Sequence, residues 1–307
     1  MSPGRRVARA SRLCSARLSR EGKPSTAGLH VVGADSYRPS VTIAVQPRPW
    51  RRFLALGDSF TEGMMDDLGP DGRHRGWADD VAVALARRAV ERGEDGIEYA
   101  NLAVRGRLLT QVVDEQVPPA LELGPDLVSL AAGINDTLRP HYDLDVAATS
   151  LDRAVRRLRA GGADVLLFAW GDPARRSAAM APVRDRVRRF NAVVEAVADT
   201  YGCYLASFWL VAAYDDERLW AEDRLHLSPA GHRLAARTAL AGLGLDDRHW
   251  RTPAVPAPPA SRVHQARLHG RWVRVHLAPW VARRVRGESS GDRVAPKHPT
   301  WVTVTPG

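Results

Sequence analysis

Phe53-Leu54-Ala55-Leu56-Gly57-Asp58-Ser59-Phe60-Thr61-Glu62-Gly63 is the stretch on which the fold turns. An apolar run ends at a glycine and gives way at once to an acid and a hydroxyl. Four consecutive apolar residues suit a strand buried on both faces. The polar pair then falls just beyond the carboxyl end of that strand. Outward from here the chain alternates. Strands are expected at Phe53–Leu56, Ile97–Val104, Leu127–Ala132, Val165–Trp170 and Cys203–Trp209. Helices are expected over Trp77–Arg92, Leu108–Val117, Leu144–Leu158, Val183–Tyr201 and Ser228–Ala241.

The helix boundaries rest on local chemistry. Trp77, Val81, Leu85 and Val90 are apolar residues along the first helix. Pro118-Pro119 reads as the stop of the second, because proline lacks the N–H that a helix interior needs. Gly161-Gly162 and Gly202 close the third and fourth. Ser228 is an N-cap, Pro229 suits the first helical position, and Gly242 closes the last helix. Five strands interleaved with helices predict an α/β fold. The expected architecture is a three-layer α/β/α, flavodoxin-like sandwich around a five-stranded parallel sheet. Ligands in such folds bind beyond the carboxyl ends of the strands.

The chain has 307 residues and a formal net charge of +9. That charge suggests a nucleic-acid partner until it is divided. Residues 1–52 hold 11 basic and 2 acidic side chains, and residues 249–307 hold 10 and 2. The intervening 53–248 is acidic, with 23 basic and 31 acidic side chains. An acidic domain with basic arms argues against a nucleic-acid-binding fold, and no specific nucleic acid is expected. Three regions follow: a basic, disordered tail at 1–47, a globular domain at 50–247, and a Pro-rich linker with a basic extension at 250–307. In that extension Gln265–Arg286 mixes arginines with Trp272, Val275, Leu277, Trp280 and Val281, and Pro279 interrupts any helix. It reads as an arm packed on the domain, or as a surface for weak contact with an anionic lipid or polymer.

No run of 18 apolar residues predicts a transmembrane helix, and the N-terminus lacks the apolar core of a secretory signal. Two cysteines, Cys14 and Cys203, do not make a disulfide framework, so a cytoplasmic location is expected. Neither zinc-site spacing nor a phosphate-binding glycine loop is present, and no metal or cofactor is expected.

Four polar clusters fall at strand ends or in loops on the same side. Gly57-Asp58-Ser59 follows the first strand. Asn101 to Gly106 ends the second, Gly133-Ile134-Asn135-Asp136 follows the third, and Asp223-Arg224-Leu225-His226 precedes the last helix. In a parallel sheet those ends share one rim. Together, and in this order, the clusters resemble the blocks of the GDSL, or SGNH, hydrolase family over roughly residues 52–245.

A serine hydroxyl is a weak nucleophile without an adjacent base. His226 is the candidate base, and later the acid for the leaving group. Asp223, three residues before it, can fix the imidazole tautomer. The resemblance implies the triad Ser59, Asp223 and His226, with an oxyanion hole from the Ser59 and Gly106 backbone N–H groups and the Asn135 amide. Asp58 and Asp136 read as loop-holding residues. His232 reads as a helix residue that packs or faces solvent, and His74 and His141 lie in loops that could touch substrate. The expected activity is hydrolysis of a carboxylic ester, thioester or O-acetyl group through an acyl-enzyme on Ser59. Small-molecule, lipid and acetylated-sugar esters all remain open, with short acyl chains favoured because no long apolar lid is evident. An acyltransferase with the same triad and a non-catalytic binding module on this fold are the rivals. A monomer is expected.

Overall fold

The computed structural model describes residues 48–175, 180–209, 211–246, 270–279, 282 and 290–306. The 1–47 tail and the Pro253–Pro259 linker lie outside the described residues.

Five parallel strands form the centre: β1 (Arg52–Gly57), β2 (Ile97–Asn101), β3 (Leu127–Ala131), β4 (Asp164–Ala169) and β5 (Tyr204–Ser207). The helices are α1 (Ser59–Glu62), α2 (Trp77–Glu91), α3 (Leu109–Glu115), α4 (Val117–Leu123), α5 (Ile134–Thr137), α6 (Leu144–Ala160), α7 (Ala181–Tyr201) and α8 (Pro229–Gly242). With a sixth strand, β6 (His298–Val304), at one edge, the sheet order is β5-β4-β3-β1-β2-β6. After β1 the chain steps one way to β2, then returns past β1 to build β3, β4 and β5. Right-handed crossovers in opposite directions put helices on opposite faces. Accordingly α2 packs on α8, while α3, α4 and α7 pack on α6. The reversal between β1 and β3 is the switch point at which such sheets open a crevice.

The strands carry the core. Phe53 to Leu56 and Val165 to Leu167 are fully buried. Each such aliphatic or aromatic side chain contributes about 1.5–3 kcal/mol relative to exposure. Along α2 the expected stripe holds at Trp77, Val81 and Leu85, whereas Val90 is exposed.

The sheet has six strands, not the five expected. β6 (His298–Val304) lies antiparallel on β2, with Ile97 opposite Val304 and Tyr99 opposite Val302. It belongs to the segment read as a basic extension. Its Thr, Trp and Val residues favour a strand, and the edge position accommodates Pro299, which cannot donate to a ladder. The register shifts between Tyr99 and Asn101, next to that proline.

Several boundaries also moved. β2 stops at Asn101 and not at Val104, because the Asn101 Oδ1 accepts the Ala103 N–H at 3.0 Å and turns the chain. Pro118-Pro119 does not end a helix but begins one, occupying the first turn of α4, where a missing N–H costs nothing. α8 starts as expected, with the Ser228 hydroxyl accepting from Gly231 N–H. It runs through Gly242, whose missing side chain leaves room for Leu205: a Cβ there would lie 2.8 Å from that carbonyl oxygen. The left-handed turn falls at Gly244, with φ +76°.

Candidate functional site

The loops after β1, β2 and β3 and the loop before α8 meet at one rim. Asp58 caps α1, its Oδ1 accepting the Phe60 N–H at 3.0 Å, and this sets Ser59 on the first turn. Phe60 anchors that turn from below, with ring centroids 5.2 Å from Trp170 and 5.4 Å from Trp77. Gln116, at the end of α3, grips both polar groups of Gly57: its Oε1 accepts the N–H and its Nε2 donates to the carbonyl, each at 2.9 Å. Ser59 therefore leaves a strand end that is fixed on two sides.

His226 Nε2 stands 3.0 Å from Ser59 Oγ, and His226 Nδ1 stands 2.6 Å from Asp223 Oδ2. Asp223 Oδ1 accepts the backbone N–H groups of Leu225 and His226, both at 3.0 Å. Burial alone would raise the Asp223 carboxyl. The hydrogen bond and positive charge of His226, with the two backbone donors, outweigh it and hold the group at about 2. A carboxylate is acceptor-only, so Nδ1 carries the hydrogen and Nε2 is left to accept from the Ser59 hydroxyl. A hydroxyl so placed can pass its proton to the imidazole as its oxygen attacks.

Gly106 adopts φ +76°, a left-handed conformation that glycine reaches without steric cost. The backbone N–H groups of Ser59 and Gly106 hold no hydrogen bond among the described residues. The Asn135 amide links their two loops: Nδ2 donates to Asp58 Oδ2 at 3.0 Å and to the Arg107 carbonyl at 3.1 Å. It thus binds the residue before Ser59 and the residue after Gly106. Burial pushes the Asp58 carboxyl up to about 7, against the pull of the Phe60 N–H and His226, and nearby Asp136 and Glu62 add to the rise. Burial likewise lifts Asp136 to about 6, although its Oδ2 accepts the Leu109 N–H at 3.0 Å.

All five expected site residues, Ser59, Gly106, Asn135, Asp223 and His226, lie in this constellation. His232, His74 and His141 do not join the chain of bonds. His232 is buried, its Nε2 3.1 Å from the Met64 carbonyl, and burial lowers it to about 4, so it is neutral. His74 Nδ1 lies 2.8 Å from the Asp66 carbonyl, and His141 is exposed.

Residues unremarked in the sequence complete the frame. Glu62 is buried, and its carboxylate accepts from the Arg105 backbone N–H at 2.8 Å and from the same residue's guanidinium. An acid at the end of the Ser59 turn and a base beside Gly106 were the signal for that pair. Lys297 is also buried, and its Nζ donates to the His74 and Arg75 carbonyls and to Asp79 Oδ2. Among the described residues, no group of three His, Cys, Asp or Glu side chains is arranged to hold a metal, and no helix is long and apolar enough to cross a membrane.

The GDSL-like lipase/acylhydrolase family matches residues 55–234. No curated protein matches the chain in sequence. Among solved structures, a variant of an acetyl xylan esterase from Geobacillus stearothermophilus superposes with TM-score 0.53 at 22% identity, covering 64% of this chain and 95% of its own. An α/β hydrolase from the metagenome of Lake Arreo, Spain, gives TM-score 0.53 at 23% identity over 64% of this chain and 95% of its own. TesA gives 0.51 at 22% over 63% and 98%. At these identities the likeness is one of fold.

Proposed function

Because this chain belongs to the GDSL-like lipase/acylhydrolase family of ester hydrolases, we propose that Ser59 is its nucleophile, His226 its general base and acid, and Asp223 the orienting carboxylate. The single observation that carries the assignment is the unbroken chain Ser59–His226–Asp223, at 3.0 and 2.6 Å.

The Ser59 oxygen attacks the ester carbonyl carbon and its proton passes to His226 Nε2. The resulting oxyanion is held by the N–H groups of Ser59 and Gly106. Asn135 supplies a third donor, because a negative oxygen draws a hydrogen bond more strongly than the neutral Arg107 carbonyl does. The intermediate collapses, the bond to the leaving alkoxide breaks, and His226 returns the proton to that oxygen. Water then attacks the acyl group on Ser59, gives its proton to His226, and releases the acid with the Ser59 hydroxyl restored. Asp223 remains ionised throughout, because His226 and the two backbone N–H groups hold its carboxyl at about 2 despite burial.

The test is covalent labelling with a fluorophosphonate probe. Wild type labels and Ser59→Ala does not. An unlabelled wild type, or equal labelling of the variant, overturns the assignment. A series of p-nitrophenyl esters from acetate to palmitate then reads out acyl length, with activity expected to fall as the chain grows.

A further inference from the structure

Residues 270–279 and 290–297 lie beyond the region matched by the family, yet both touch the loops that build the site. Gly291 sits so close to the loop before Gly106 that a Cβ on it would lie 2.0 Å from the Arg105 carbonyl oxygen. Asp292 lies 3.4 Å from the Arg107 guanidinium. The contact with the sharpest consequence is made by Trp272. Its Nε1–H donates to the Asp223 carbonyl at 2.7 Å, and the Arg224 guanidinium stacks on its ring, 5.2 Å from the centroid.

Those two residues form the first half of the Asp223–His226 turn. Arg224 adopts φ +59°, the left-handed region, which costs a non-glycine residue about 1–2 kcal/mol. Such a conformation persists only when its surroundings over-determine it. From within the turn, Arg224 N–H donates to the Ala221 carbonyl at 2.9 Å, and Ala221 N–H donates to the His226 carbonyl at 2.9 Å. From outside, Trp272 holds the peptide between Asp223 and Arg224 by its oxygen, and the Arg224 side chain by its ring. The carboxylate that orients His226 branches from the same Cα as that peptide. An uncompensated change in the Asp223 ψ or the Arg224 φ therefore moves the Asp223 side chain relative to the imidazole.

We propose that Trp272 is a positioning residue of the hydrolytic site, holding Arg224 left-handed and thereby keeping the Asp223 carboxylate on His226 Nδ1. It touches neither substrate nor reacting atoms in this role. The inference rests on the triad assignment above, and the experiment separates the two.

Trp272→Phe keeps a ring for Arg224 and removes the N–H, while Trp272→Ala removes both. On a soluble aryl acetate, Trp272→Phe should lower kcat by about tenfold and Trp272→Ala by up to about a hundredfold, the scale of a small misplacement in a reacting group. KM should change little. The downfield proton resonance of His226 Nδ1–H should broaden in both. Arg224→Gly removes the left-handed penalty, so adding it to Trp272→Phe should recover most of the lost kcat. Unchanged kcat in both Trp272 variants overturns the proposal. So does a loss of activity that only tracks the folded fraction and that Arg224→Gly fails to rescue. If Trp272→Ala does not fold, Trp272→Phe and the double variant decide alone. His226→Ala run in parallel separates the premises: retained turnover defeats the triad, whereas a dead His226→Ala beside unimpaired Trp272 variants defeats only the positioning role.

Discussion

Glu62 holds Arg105 at both its backbone and its side chain. One carboxylate oxygen accepts the Arg105 N–H at 2.8 Å, and the guanidinium donates to both oxygens. The pair ties the end of the Ser59 turn to the residue before Gly106, and so fixes the spacing between Ser59 and Gly106. Glu62→Gln keeps one acceptor and loses the charge. It should destabilise the protein by about 1–3 kcal/mol, the cost of leaving buried donors poorly satisfied, and lower kcat more than it raises KM. Urea unfolding and steady-state kinetics on the same preparation check both.

How much of this was legible beforehand depends on where the information sits. Ser59, Asp223 and His226 could be found because each lies in a short block beside a predicted strand end or helix start. The Glu62–Arg105 pair joins residues 43 apart, and Lys297 reaches Asp79 from 218 residues away. No local period announces such meetings. Pro118-Pro119 was ambiguous for a physical reason: a proline that forbids a helix interior is at home in a first turn. β6 was hidden by the charge around it. Its Thr300 to Val304 run is strand-like, but it ends a segment whose arginines are the texture of an exposed surface.

Under the proposed mechanism, Asn135→Ala removes a donor from the developing oxyanion, together with the amide that joins Asp58 to the Arg107 carbonyl. The expected loss is about 2.7–4 kcal/mol of transition-state stabilisation, a drop of about a hundred- to a thousandfold in kcat. Burst kinetics with a p-nitrophenyl ester would show slower acylation. A kcat within twofold of wild type would remove Asn135 from the oxyanion hole.

Asp223→Asn replaces an acceptor-only carboxylate with an amide that can present a hydrogen to His226 Nδ1. The imidazole is then driven toward the tautomer whose Nε2 cannot accept from Ser59. Activity should fall by about 10³–10⁴, as expected when an orienting carboxylate is lost. The variant should remain folded by circular dichroism.

Asp58 gives the stability curve an unusual tilt. Its folded-state carboxyl titrates near 7, against 3.8 when unperturbed. Between those values the folded protein keeps a proton that the unfolded chain has released, so this group's contribution falls as pH rises, by up to about 1.4 kcal/mol per unit. Asp136 acts in the same direction up to about 6. His232, neutral in the fold down to about 4, acts in the opposite direction below its ordinary 6.5. Comparison with Asp58→Asn isolates the first effect. The stability of the variant relative to wild type should climb from pH 4 to pH 7 and level off above, measured by urea unfolding at each pH. A constant difference across that range would refute it.

Lys297→Met strips the charge from a side chain that is 4% exposed and leaves Asp79 and two carbonyls without their donor. A loss of about 3 kcal/mol is expected, typical of breaking one side of a buried pair. The loop from Gly63 to Gly76 should become the first site of limited proteolysis. Wild-type resistance in the variant would show that the lysine is not what fastens that loop.

The antiparallel run of β6 also settles the direction in which the chain departs. Ser59, Asp223 and His226 gather where the parallel strands finish, but Val304 lies opposite Ile97, where β2 begins. A tether attached beyond that strand would leave from the far side of the sheet. On a solid support it would hold the molecule with Ser59 and His226 on the side away from the surface.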